Sequence, residues 1–191
     1  MRSRRQSGLT LIEVMVAIAI FAVLGVISYR AVSSMSDSRT RVGAELARWR
    51  AISRVMQLVD NDLTQLAPRW SGISNAITTE AAITLVKGGE RDELRLVRHD
   101  GANGGLQHRA YHIDGDKLIL IRWSPRDGSS TEDTLLDGVK SLHWRFINSN
   151  GQESDSWPPP DPMQQNALPT GVRIDLELAD AGLIKRVFSI R

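Results

Sequence analysis

The sequence predicts an α+β chain: one long N-terminal helix, transmembrane in its first half, packed in its second half on an antiparallel β-sheet domain. Three observations carry this. Leu9 to Ile27, LTLIEVMVAIAIFAVLGVI, is an almost wholly apolar run of 19 residues, close to the ~20 that a helix needs to span a bilayer. From Val42 to Leu66 apolar side chains recur at gaps of three and four, the helical period. After Pro68 short apolar runs are separated by Gly, Asn and Asp, the pattern of strands and turns.

The first element is a basic leader. Arg2, Arg4 and Arg5 precede the apolar run, and the positive-inside tendency places the N-terminus in the cytoplasm and the bulk of the chain outside. Arg30, Arg39 and Arg41 on the far flank weaken that count. A cleaved secretory signal would be shorter and end in small residues; here Ser28, Tyr29 and Arg30 follow, so the segment reads as retained in the membrane.

Glu13 is the only charge in this run. A carboxylate deep in a spanning helix costs about 2.5–3.5 kcal/mol on insertion scales, so it needs a partner. One reading has Glu13 near the helix start, reaching the interface. The other is a cut between Gly8 and Leu9, creating an α-amino group one helical turn away, ~6 Å at 1.5 Å per residue. That amine and the carboxylate would offset each other within one chain or between neighbouring chains.

The second element is the amphipathic continuation. Val42, Leu46, Trp49, Ile52, Met56, Val59, Leu63 and Leu66 form a helical stripe, whose expected role is core packing. Arg39, Arg41, Glu45, Arg48, Arg50, Arg54, Asp60 and Asp62 fall to the other faces, and Pro68 is a stop signal. The spacing predicts one helix from about Leu9 to Leu66, interrupted or softened near Gly25 and Gly43.

The third element is the β-rich region. Strands are predicted at Glu93–Arg98, Gln107–Ile113, Leu118–Trp123, Val139–Ile147, Val172–Leu178 and Ile184–Ile190. Alternation is cleanest at Val172, Ile174, Leu176 and Leu178 against Arg173, Asp175 and Glu177, a half-buried antiparallel strand. Asp114-Gly115-Asp116 and Ala179-Asp180-Ala181-Gly182 read as hairpin turns. Residues 148–169, with Pro158, Pro159 and Pro160 after Trp157, read as a loop without regular structure. Trp144 and Trp157 are expected to be core and loop anchors. The domain boundaries are then 1–8, a leader that is removed; 9–29, transmembrane; 30–67, helix spine; and 68–191, a β-rich domain.

Composition narrows the function classes. The net charge is +2, but losing residues 1–8 would leave 21 of the 24 basic side chains against 22 acidic ones, so no basic face for nucleic acid is expected. With no cysteine, disulfides, thiol nucleophiles and thiolate metal sites are excluded. His108 and His112 would share a metal on a helix, but on the predicted strand they lie about 13 Å apart. Asp114 and Asp116 lack the later ligands of a calcium loop, while Glu153 and Asp155 are a weak calcium candidate. No nucleophile, base and orienting acid come together in the sequence. No enzyme activity, cofactor or metal is expected.

The segment SGLTLIEVMVAIAIFAVLG resembles the N-terminal signature of type IV pilins and type II secretion pseudopilins. The resemblance implies that a prepilin peptidase cuts after Gly8 and that Leu9 is N-methylated, with Glu13 at the family's glutamate in the fifth mature position. Leu9 stands where Phe is commonest. Further on, Leu136, Gly138, Val139, Trp144, Trp157, Pro158, Leu168, Pro169, Gly171 and Val172 resemble the C-terminal part of the J-type minor pseudopilin, the general secretion pathway protein J family of the type IV pilin-like superfamily. The likeness spans most of the chain and is weakest across Trp70–Gly105.

It implies a pilin-like fold and a minor pseudopilin. Such a subunit assembles with I-type and K-type sisters, with H type as a further candidate, at the tip of a periplasmic pseudopilus that drives folded proteins across the outer membrane. The implied location is the inner membrane, single-pass, with the globular domain periplasmic. Alternatives are a minor pilin of a type IV pilus or DNA-uptake machine, against which the missing cysteine pair and basic patch count, and a cargo-binding tip module acting through the loop around Trp157.

Overall fold

The computed structural model describes residues 10–67, 81–88, 91–99, 105–124, 128–160 and 167–190. The chain divides into two compact units, Met1–Arg50 and Ala51–Arg191. Helix α1 (Leu11–Thr64) begins in the first and ends in the second.

In the first unit the helix runs through Gly25 and Gly43, where interruption or softening was expected, and no interruption occurs. A helical glycine costs about 1 kcal/mol relative to alanine, too little to break a ladder whose flanking residues all favour it. No neighbouring atom lies within 4 Å of where a Cβ would stand at either glycine. The apolar residues of this stretch are exposed, from Leu11 at 80 % to Leu24 at 56 %.

In the second unit the stripe becomes core. Ile52, Val55, Met56, Val59, Leu63 and Leu66 are buried, and the helix hands its backbone to the sheet. Ala67 N–H donates to Val97 O and His99 N–H to Gln65 O, both at 2.9 Å. Core packing therefore holds from Ile52 onward but not at Val42, Leu46 and Trp49, which are 62 %, 47 % and 51 % exposed. A periodic stripe specifies a face to be covered; it does not specify what covers it.

Nine strands follow among the described residues: β1 (Ile83–Gly88), β2 (Arg91–His99), β3 (Leu106–Asp114), β4 (Lys117–Trp123), β5 (Ser130–Leu136), β6 (Val139–Ile147), β7 (Glu153–Ser154), β8 (Gly171–Leu178) and β9 (Gly182–Ser189). They form two antiparallel sheets, ordered β1-β2-β3-β4-β5 and β7-β6-β8-β9. All six predicted strands are present. β1, β5 and β7 were not expected, and β7 places a short ladder inside the segment read as irregular by pairing with Phe146 and Ile147.

Both predicted hairpins form. Gly115, at φ +60°, opens the two-residue turn between Asp114 and Lys117. Gly182, at φ +71°, closes the three-residue loop after Leu178; a left-handed residue there is what such loops require. The inner faces of both sheets and the helix stripe share one core, with Tyr111, Phe146, Ile174 and Leu176 fully buried. Trp144 and Trp157 are anchors in it, each 3 % exposed. Trp157 stacks on Phe146 at 5.8 Å, and its carbonyl accepts the N–H of Leu85 at 2.9 Å. The loop thus covers the edge strand β1, which would otherwise leave unpaired backbone groups exposed.

Candidate assembly site

Gly8 and Leu9, the expected processing residues, lie outside the described residues. Glu13 lies within them and has a local partner. Its Oε2 accepts the backbone N–H of Thr10 at 3.0 Å and the Thr10 hydroxyl at 3.0 Å. Thr10 Oγ1 in turn accepts the N–H of Glu13 at 3.4 Å.

This is a reciprocal capping box. It satisfies N–H groups that a helix start otherwise leaves without partners, a cost of several kcal/mol where no water is at hand. The sequence carries the signal as Thr10-x-x-Glu13 ahead of an apolar run. The cap does not displace the amine reading, because both bonds end on Oε2 and a carboxylate has a second acceptor oxygen.

The helix from Leu11 to Trp49 exposes apolar side chains in two stretches, Leu11 to Met35 and Val42 to Trp49: Phe21 is 80 % exposed, Ile27 58 % and Val42 62 %. An 18-residue window of α1 reaches a mean hydropathy of 2.7, long and apolar enough to cross a membrane. Beyond it, after the polar stretch at residues 36–41, the exposed apolar positions Val42, Leu46 and Trp49 resume the helical row. Exposed apolar surface on this scale marks an interaction face.

Within the second unit the helix is fixed to the sheet by a buried charge. Asp62, read above as a polar-face residue, is fully buried. Its Oδ1 accepts from Arg98 Nη1 at 2.6 Å and from Arg109 Nη1 at 2.8 Å, while Oδ2 accepts from Arg109 at 3.0 Å and from the Tyr111 hydroxyl at 2.5 Å. Arg98 also bonds Gln65, and Arg109 also bonds Gln107.

One carboxylate thus ties α1 to β2 and β3 at once. Burial, and then the Asp62 charge, hold the Tyr111 phenol proton well above its ordinary range, so the hydroxyl stays a donor. The spacing held a clue, since Asp62 follows Val59 by three and precedes Leu66 by four, in the buried row. Its partners lie 36 to 49 residues further along the chain, out of reach of any local pattern.

The remaining polar candidates form no reaction centre. His108 and His112 both lie on strand β3, four residues apart as the metal argument assumed. Glu153 bonds Arg173 at 2.5 Å and lies 3.6 Å from Arg145, and Asp155 bonds Lys87 at 2.8 Å. The pairing with Lys87 holds the Asp155 carboxyl below its usual range. These carboxylates, the calcium candidates, are spent on cations instead of converging on one point. Among the described residues no three His, Asp or Glu side chains are grouped to hold a metal. The Trp157 ring is buried, which removes it as a direct contact for cargo.

Residues 30–190 match the family described as Type II secretion system (T2SS), protein J. The chain belongs to that family. It is a family of minor pseudopilins, and residues 3–29 match the prokaryotic N-terminal methylation motif expected of its members. Protein J of Klebsiella pneumoniae is 27 % identical over 97 % of this chain and 95 % of its own length. Protein J of Escherichia coli strain K12 is 33 % identical over 97 % of this chain and 88 % of its own. The chain is similar to a chain in the solved GspK-GspI-GspJ complex of enterotoxigenic Escherichia coli, with TM-score 0.61, 23 % identity, and coverage of 75 % of this chain and 97 % of that one. At that identity the likeness shows the pilin-like fold.

Proposed function

We propose that this minor pseudopilin is a structural subunit of the pseudopilus tip. It is cut between Gly8 and Leu9 and methylated at Leu9 by the prepilin peptidase, and it is stored in the inner membrane through residues 9–29 with residues 68–191 in the periplasm. It then assembles with I-type and K-type sisters. Its work is mechanical and catalyses no reaction: the assembled tip primes the pseudopilus that drives folded proteins across the outer membrane.

The observation that carries this reading is the exposed apolar helix face from Leu11 to Trp49 on a chain whose second unit, residues 51–191, already has a core built from its sheets and the end of the helix. In lipid that face is solvated by acyl chains. On extraction it needs replacement partners, and helices of the same period are the surfaces that fit it. The solved complex that unites GspK, GspI and GspJ supports sister pseudopilins as those partners.

The test is copurification of the full-length chain with full-length I-type and K-type subunits after coexpression in membranes that contain the prepilin peptidase. A stoichiometric complex beginning at methylated Leu9 is expected. Absence of the chain from an I–K complex that forms without it would overturn the reading.

A further inference from the structure

The two faces of the five-stranded sheet differ in what they meet. Toward the helix stand Ile83, Leu85, Leu94, Leu96, Tyr111, Leu118 and Leu120, all in the core. The other face of an antiparallel sheet is commonly polar and solvated. Here the register places Val97 beside His108, Ala110 beside Ile121 and His112 beside Ile119 on that face. Val97, Ala110 and Ile119 are 4 %, 0 % and 7 % exposed without joining the core around the helix.

A cleft of about 600 Å³ opens at the Val97 and His108 end of this face, within the ~300–1,000 Å³ of small-ligand sites. Val86, Val97 and Trp123 give it apolar walls, Thr84 and His108 polar points, and Arg95 a cation. Arg95 Nε is held by Glu93 at 2.5 Å, and its side chain is 58 % exposed; its two Nη groups are further donors. Among the described lining residues none is acidic.

We infer that this cleft binds an aromatic or branched apolar group bearing a carboxylate one or two carbons away, as in a free aryl acid or the C-terminal residue of a peptide. The apolar group lies against Val86, Val97 and Trp123, and the carboxylate meets Arg95. Apolar walls alone would take any hydrophobe; the Arg95 guanidinium, which pairs with Glu93 through Nε and keeps two Nη groups, selects an anion, because a carboxylate beside it makes charge-assisted bonds that a neutral analogue cannot. The site lies wholly in the sheet domain and is independent of the helix face used for assembly.

The experiment uses the full chain in lipid nanodiscs and follows fluorine NMR line broadening. One arm titrates 4-(trifluoromethyl)phenylacetate and its alcohol analogue; the other titrates Gly-Gly-4-(trifluoromethyl)phenylalanine as free acid and as amide. Broadening beyond that of empty nanodiscs is expected for the acids, weaker by about tenfold for the neutral analogues and for Arg95→Glu, and lost in Trp123→Ala. Binding in both arms supports the shared chemistry, and binding in one arm alone identifies the source.

Arg95→Glu is the deciding variant, since its exposed side chain leaves the core intact, as an unchanged unfolding midpoint will verify. The inference is overturned if the acids do no more than with empty nanodiscs, if the neutral analogues bind as well, or if Arg95→Glu binds undiminished. Copurification with the sister subunits is read separately, so a failure here leaves the assembly reading where it stood.

Discussion

Residues 52–64 and residues 42–49 belong to one helix with one apolar period, yet they meet different fates. In the first segment Ile52, Met56, Val59 and Leu63 are each at most 3 % exposed; in the second Val42, Leu46 and Trp49 are each at least 47 % exposed. The pattern of side chains is the same, so the difference lies in what covers them. The chain's own sheets cover residues 52–64 and lock them through Asp62. Residues 42–49 carry an apolar row that is exposed, and in the proposed function a sister subunit covers it. Stability and assembly are therefore written on consecutive turns of the same element, and substitutions should separate them.

The largest effects should fall on the covered side. Trp157→Ala removes a buried ring stacked on Phe146 and is expected to cost about 3–5 kcal/mol. Asp62→Ala leaves Arg98 and Arg109 facing each other uncompensated, at a cost of about 3 kcal/mol, the low end for a broken buried pair because both arginine side chains keep some exposure, 13 % and 11 %. Urea unfolding of the full chain, followed by tryptophan fluorescence, measures both. A midpoint unchanged in Asp62→Ala would mean that the carboxylate does not hold the helix to the sheet.

On the uncovered side, Trp49→Ala should leave the unfolding midpoint within about 0.5 kcal/mol of the parent. It should weaken copurification with the sister subunits by about 30-fold if Trp49 is an anchor of the contact. Loss of stability equal to that in Trp157→Ala would erase the distinction between the two segments.

Smaller effects sharpen the helix start. If Glu13 acts as a cap alone, Thr10→Ala should cost the helix about 1 kcal/mol, while Glu13→Gln keeps an oxygen that accepts the Thr10 N–H and should impair assembly no more than Thr10→Ala does. If it also pairs with a new amino terminus at Leu9, Glu13→Gln should impair assembly far more than Thr10→Ala. Quantitative pseudopilus immunoblots separate the two.

The smallest expected effect is at Asp155. Its folded carboxyl is lowered by Lys87, so the contribution is present above the ordinary carboxylate range near 3.9 and fades as pH falls through the lowered value. The slope of stability against pH below 4 should be slightly shallower in Lys87→Ala, measured by urea midpoints across that range.

Much of this division was legible before any coordinates. Gaps of three and four gave the helix and its apolar row, and alternation gave β8 and its hairpin to β9. The processing motif was legible because it needs only a glycine, a glutamate and an apolar run at fixed spacing. Where the row passes from exposed to buried was not legible, because Trp49 and Ile52 differ in their surroundings and not in their chemistry.

Other elements were hidden for separate reasons. β5 (STEDTLL) is an edge strand whose polar side chains carry no alternation, and only its ladder with β4 defines it. β1 has apolar residues on both faces, Ile83 and Leu85 toward the core and Val86 toward the cleft, so no alternation betrayed it. Asp62 reads as a surface acid until Arg98, Arg109 and Tyr111 are brought to it by the sheet. The cleft needed the register of three strands and had no local signature.

The absence of cysteine makes the central claim directly measurable, because an introduced thiol is the only one in the chain. Leu46→Cys and Met56→Cys would each be alkylated in the full chain alone and after coassembly with the I-type and K-type subunits. Leu46→Cys should react readily alone and at least about tenfold more slowly in the assembly, whereas Met56→Cys should be slow in both. A thiol at position 46 that reacts as fast in the assembly as alone would show that the exposed row is not the assembly face.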